Sequence, residues 1–227
     1  MAGDPQSELG RQARFRYGVV FLIVLALLVF EVVAPNADWA RAIDIALAGG
    51  ALSVAVATSR ERGEVRRRRA LTVGAVALGV VIAVASGLFS TGLTFLVFTF
   101  LLAGIPVGLV GGLSRLIRDR GVTVQAVTGA LTIYLVVGLL FAALIAFVSV
   151  VESGSYFHQG ASVPNGVRVY YSFTVLTTTG FGDYTAAHPV GHALAVLEML
   201  IGQLYLVTVI GIVVGNFAGR GRGARPT

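Results

Sequence analysis

The sequence predicts an all-α transmembrane protein with six membrane-spanning helices and a re-entrant segment before the last of them. Three observations carry this. First, 56% of the 227 residues are hydrophobic, only 12% are charged, and the mean hydropathy is +0.85. A soluble domain of this size cannot cover its surface with so few charges. Second, six apolar runs recur, at 17–34, 43–58, 71–88, 91–113, 122–151 and 190–217, and a helical crossing takes roughly 20 apolar residues. Third, arginine-rich stretches fall between alternate runs and none falls inside one.

The first run follows "MAGDPQSELGRQARFRYG". It is longer than the apolar core of a signal peptide, and Glu31 to Pro35 is a poor cleavage context, so it reads as a retained helix. The second run is short and contains Gly49 and Gly50. The fourth holds Pro106 and several glycines, which loosen a helix. It also lacks the regularly spaced arginines of a voltage sensor, where each elementary charge moved is worth about 2.3 kcal/mol per 100 mV. Arg115 and Arg118 have that spacing but lie beyond the run, where they read as anchors at the membrane surface. Glu31 and Asp44 fall near the ends of the first two runs and read as interfacial.

The connections set the orientation. Arg11, Arg14 and Arg16 precede the first run, "SRERGEVRRRRA" (59–70) follows the second, "SRLIRDRG" (114–121) follows the fourth, and "GRGRGARPT" follows the sixth. The other connections hold only Arg41 and Arg168. Six crossings put all the rich segments and both termini on one side, the cytoplasmic one by the positive-inside rule. The net charge of +6 is therefore a topology signal rather than a nucleic-acid footprint. There are no cysteines, which excludes disulfides, thiolate metal sites and cysteine nucleophiles. No phosphate loop, serine–histidine–acid order or histidine cluster suggests an enzyme. His158, His188 and His192 are dispersed toward the outer side, where they are candidate sensors of external pH.

Residues 152–189 must then begin and end outside, yet they contain "NGVRVYYSFTVLTT" (165–178), apolar but too short to span. Irregular backbone at membrane depth is tolerated only when buried in protein or lining a watery path. The segment is expected to enter as a short helix and return as extended chain. That returning chain is "TTTGFGDY", Thr177–Tyr184. Gly180 and Gly182 lie two apart, and glycine reaches positive φ without steric cost. Alternating handedness aims successive carbonyls at one axis. Phe181 is free to wedge backwards, and Thr178 adds a hydroxyl at the inner end. Such a ladder of oxygens can replace the hydration shell of a cation.

Thr-x-Gly-Phe-Gly-Asp after a short helix resembles the selectivity filter of potassium channels. The resemblance is specific over roughly 122–217; the first four runs match a six-span channel only in number and orientation. It implies that Thr178, Thr179, Gly180 and Phe181 coordinate potassium ions, with Gly182 completing the filter. Thr179 stands where valine is usual and Phe181 where tyrosine is commoner; neither change removes a main-chain oxygen. It further implies filter support from Tyr170, Tyr171, Thr174, Thr177 and Asp183, Thr174 standing where some channels carry glutamate. Gly191 and Gly202 fall at the family's inner-helix glycine positions, Gly202 being the usual hinge, and Gly211 adds a second candidate hinge or gate. Glu198 is an acid within a span, and such groups are costly and often functional; Gln203 is a candidate cavity-lining group.

The domain organisation that follows is a cytoplasmic tail over 1–16, a four-helix domain over 17–113 and a cytoplasmic linker over 114–121. A pore domain then covers 122–217, with a pore helix at 165–177, filter at 178–183 and inner helix at 190–217, and a tail at 218–227. One chain supplies one filter strand, so the pore is expected to be a homotetramer in the cell membrane. No cofactor is expected; the partners are three further copies, the lipid bilayer and potassium ions, with no nucleic acid. The expected function is passive potassium conduction with weak or no voltage gating. A less selective monovalent cation channel, a potassium-uptake transporter subunit and a non-conducting scaffold are the alternatives.

Overall fold

The computed structural model describes residues 5–58, 63–121, 123–152, 155–160 and 163–212. Among them are seven α-helices and no strand beyond isolated bridges. They are α1 (Pro5–Val33), α2 (Asp38–Thr58), α3 (Gly63–Ala85), α4 (Thr91–Arg120), α5 (Val124–Val151), the short α6 (Asn165–Leu176) and α7 (Pro189–Tyr205), the last continuing into a π-helical turn at Leu206–Ile210.

The helix ends run past the apolar runs. Residues 5–16, expected as a tail, extend α1; residues 114–120, expected as a linker, extend α4. Arginine is a good helix former, so a helix continues into water until a turn stops it. Pro106 does not break α4. The inner helix beyond residue 212, Gly215 included, lies outside the described residues.

Buried positions fall on one stripe per helix. On α1 they are Tyr17, Val20, Val24, Leu27 and Glu31; on α4 they are Phe95, Phe98, Leu102, Ile105, Leu109 and Leu113. Both follow the three-and-four spacing of a helix face. The opposite faces are bare and equally apolar, with Leu22, Val29, Phe100 and Val107 exposed. A surface of that kind fits hydrocarbon, not water, and this is a membrane protein. Four helices, α2, α4, α5 and α7, are long and apolar enough to cross a membrane; the apolar parts of α1 and α3 are shorter, at Tyr17–Val33 and Arg69–Ala85.

The helix contacts run α2 on α3, α4 and α1, then α4 and α1 on α5. Small residues bring α2 close to its neighbours: Gly49 faces the Ala77 methyl, and Ala55 faces Gly108. α6 is enclosed by α1, α5 and α7. Its N-cap, Pro164, has no capping side chain. Asn36, in the α1–α2 turn, supplies the cap instead. Its Oδ1 accepts from Asn165 N–H at 3.1 Å and its Nδ2 donates to Val163 O at 3.2 Å.

Glu31 and Asp44 are buried within the bundle rather than open to its surroundings. They are 7% and 3% exposed, drawn inward because their helices bury the same stripe against the bundle. Arg168, expected in an outer connection, lies in the first turn of α6, where it interacts electrostatically with Glu31. Its guanidinium donates to Asn165 Oδ1 at 2.7 Å and sits 5.9 Å from the centre of the Phe95 ring, a cation–π distance. One cation thus ties the base of α6 to α1 and α4.

Gly166 tests this seating. A Cβ there would collide with Val32 O, whereas one at Gly50 would meet nothing within 4 Å. Gly166→Ala is expected to destabilise the protein by about 1–3 kcal/mol through overpacking, and Gly50→Ala to stay within about 0.5 kcal/mol of the parent. Thermal unfolding in detergent measures both.

Candidate functional site

The chain leaves α6 through Thr177, still helical at φ −84° and ψ 0°. It then alternates in handedness. Thr178, Gly180 and Gly182 have φ of 57°, 52° and 78°, while Thr179 and Phe181 between them keep negative φ. An ordinary extended strand throws successive carbonyls to opposite sides; this alternation turns them to one side. The amides mark the other side. Thr178 N–H donates to Val175 O at 2.9 Å, and Thr179 and Gly180 N–H both donate to Thr174 O, at 2.8 and 3.1 Å. Among the described residues, no hydrogen bond reaches the carbonyls of residues 178–182, and all of these residues are exposed on the protomer.

Thr178 was not foreseen as left-handed. A β-branched residue there costs roughly 1–2 kcal/mol, offset by its amide bond to α6. Its place two residues before Gly180, in step with the Gly180–Gly182 alternation, was its only sequence signal. Behind the chain, Thr177 Oγ1 donates to Phe173 O at 2.7 Å and lies 2.8 Å from Thr179 Oγ1. The threonine in the position usually held by valine therefore braces the chain from the rear. Thr174 acts through its carbonyl; its hydroxyl bonds Tyr171 O at 2.8 Å.

Tyr170 and Tyr171 serve two neighbouring faces of α6. Phe181, 68% exposed, stacks on Tyr170 at 6.2 Å between ring centres and 4° between planes, and Tyr184 meets Tyr170 edge-on. Asp183 is exposed and interacts with Tyr170. Tyr171 turns inward onto Phe157 and Tyr156, at 5.1 and 6.3 Å. Phe157 is the hub of that cluster and also meets Tyr184 at 5.7 Å. It belongs to the outer loop, whose backbone pairs with the returning chain through Ala187 N–H to Tyr156 O and His158 N–H to Thr185 O. Burial raises the Tyr156 hydroxyl above the ordinary tyrosine range. Sequence reasoning passed over Tyr156 and Phe157; two adjacent aromatics in a polar loop were the available sign.

α7 closes the inner side. Its buried positions are Gly191, turned to Ala186 and Tyr156, and Glu198 and Gly202, turned to α6. A Cβ at Gly202 would collide with Leu176 O, so this glycine lets α7 pass the C-terminus of α6, and the helix runs unbroken through it. The departure from α geometry is the π turn at Leu206–Ile210, just before Gly211, a feature often found at functional points of a helix. Gln203 lies on the exposed face. Glu198 is 1% exposed, with Oε1 2.5 Å from Ser172 Oγ. Ser172 was likewise not foreseen. His192 Nε2 lies 2.9 Å from Ala186 O.

Residues 129–218 match the family model described as an ion channel. Over that segment the chain is similar to the ion-channel family. The match takes in most of α5, all of α6 and α7, and the returning chain between them. That similarity points to a channel rather than an enzyme. No curated protein and no solved structure matches.

Thr179→Val keeps the β-branched shape and every main-chain oxygen of the ion-channel segment but removes the contact with Thr177. It is expected to lower stability by about 0.5–1.5 kcal/mol, read as a lower thermal midpoint in detergent.

Proposed function

We propose that four copies of this chain form a potassium-selective pore in the cell membrane, conducting passively through a filter built from Thr178, Thr179, Gly180, Phe181 and Gly182. The observation that carries this is the run of alternating handedness whose amides bond back to α6 and whose carbonyls are left free. In lipid each such carbonyl would cost several kcal/mol; a dehydrated cation is the partner that removes the cost. The C-terminus of α6, negative by its dipole, would favour the same cation on the inner side. Six crossings follow if α1 and α3 also span, their arginine-bearing ends reaching the surface. Both termini would then be cytoplasmic, with residues 17–113 forming a four-helix domain beside the pore.

Assembly is supported by α7. Val196, Leu197, Leu200, Ile201, Leu204 and Val207 are all exposed on one protomer. A helix so little covered fits a place among other subunits and a pore. One filter per chain favours a tetramer over a transporter carrying four pore segments. A less selective cation pore is the second reading, because Phe181 lacks a hydroxyl with which to brace the filter and rests on Tyr170 alone.

Purified protein in liposomes is expected to pass potassium, and bi-ionic reversal potentials in potassium against sodium separate the two readings. Equal permeability to both ions removes the selective one. Gly180→Ala forces a Cβ into a left-handed site at a cost of roughly 1–2 kcal/mol. It is expected to abolish flux while the oligomer still elutes intact; undiminished flux would show that the ion path lies elsewhere.

A further inference from the structure

Glu198 and Ser172 are both buried where α7 crosses α6. Ser172 Oγ lies 2.5 Å from Glu198 Oε1 and 2.7 Å from Gly138 O on α5. Both are hydrogen-bond distances, yet a serine hydroxyl has one proton to give. If it goes to Glu198, Ser172 Oγ faces the Gly138 carbonyl with lone pairs on both sides. If it goes to Gly138, the contact with Glu198 needs a proton from the carboxyl group. Only the second arrangement supplies a proton to each short contact. We propose that Glu198 is held as the neutral acid, and that the chain from Glu198 to Ser172 to Gly138 O is a proton-dependent latch joining α7, α6 and α5.

The surroundings agree. The titratable groups that face Glu198 are Tyr134 of α5, Tyr171 of α6 and Tyr156 of the outer loop. Among the described residues no cation interacts with it. An ionised carboxylate would therefore sit buried without a counter-charge. Its one strong donor would be Ser172, whose bond to Gly138 would be lost.

The latch has leverage on the returning chain. Glu198 lies one turn before Gly202, whose backbone rests against Leu176 O at the end of α6, two residues before Thr178. Glu198 is thus a positioning residue, acting on the carbonyl row through α6. Its effect on conduction rests on the channel reading above: raising the pH ionises the acid, opens the latch and diminishes flux.

The test compares the parent with Glu198→Gln, whose amide still donates to Ser172 and cannot ionise. In infrared difference spectra near neutral pH, the parent is expected to show a protonated carboxylic-acid band that the variant lacks. As pH rises, the parent's thermal midpoint in detergent falls and its liposome flux drops by about tenfold for each unit past the transition. Both stay level in Glu198→Gln. Ser172→Ala, which removes the relay, lowers the midpoint at every pH. An unchanged infrared spectrum overturns the proposal, and so does an alkaline decline of the same size in Glu198→Gln, which would put the effect on the tyrosines. A parent that carries the band and a pH-dependent midpoint but passes no ion supports the latch and overturns the channel reading alone.

Discussion

Three amide hydrogens bonded to the last turn of α6 decide what the returning chain can do. With Thr178, Thr179 and Gly180 anchored to Val175 and Thr174, the chain has a back and a front. The back is hydrogen-bonded to protein and braced by the Thr177–Thr179 hydroxyl contact. The front is a row of carbonyls without partners. Backbone oxygens left unpaired at membrane depth are not tolerated against lipid. The arrangement is stable only where water or a cation takes their place, which is the use the proposed filter makes of it.

That anchoring is only as good as the seating of α6, which is held from outside itself. Asn36 caps its N-terminus from another turn, Gly166 admits the backbone of α1, and Arg168 holds its first turn toward Glu31 and Phe95. At the other end Gly202 admits α7 against Leu176 O. The four-helix part of the chain therefore bears directly on the element that carries the returning strand. Among the described residues, its buried charges do not form a ladder along one helix, as a voltage sensor requires. Glu31 lies toward Arg168 at the base of α6, and Asp44 toward Glu31.

The outer loop contributes the remaining support. Phe157 gathers Tyr156, Tyr171 and Tyr184 edge-on, the geometry aromatic rings prefer. This cluster and the stack of Phe181 on Tyr170 lie on neighbouring faces of α6, and Tyr184 touches both. Adjacent residues of a helix are separated by about 100°, which is why a Tyr-Tyr pair serves two different surfaces.

The membrane class, the order of the helices, the short helix before "TTTGFGD" and the need for left-handed residues at Gly180 and Gly182 could all be read from the sequence, because hydropathy, length and glycine's freedom are local properties. The sequence could not place Glu31 and Asp44. Hydropathy marks an acid near a run's end but not which way its helix turns, and packing turned both inward. Nor did it disclose the left-handed Thr178, whose conformation is held by an amide bond to α6 rather than by its own preference. The cap from Asn36, the hub at Phe157 and the chain from Glu198 through Ser172 to Gly138 each join residues far apart in sequence. Only the tertiary structure decided them, since a hydrogen bond acts over about 3 Å and no spacing along the chain encodes that distance.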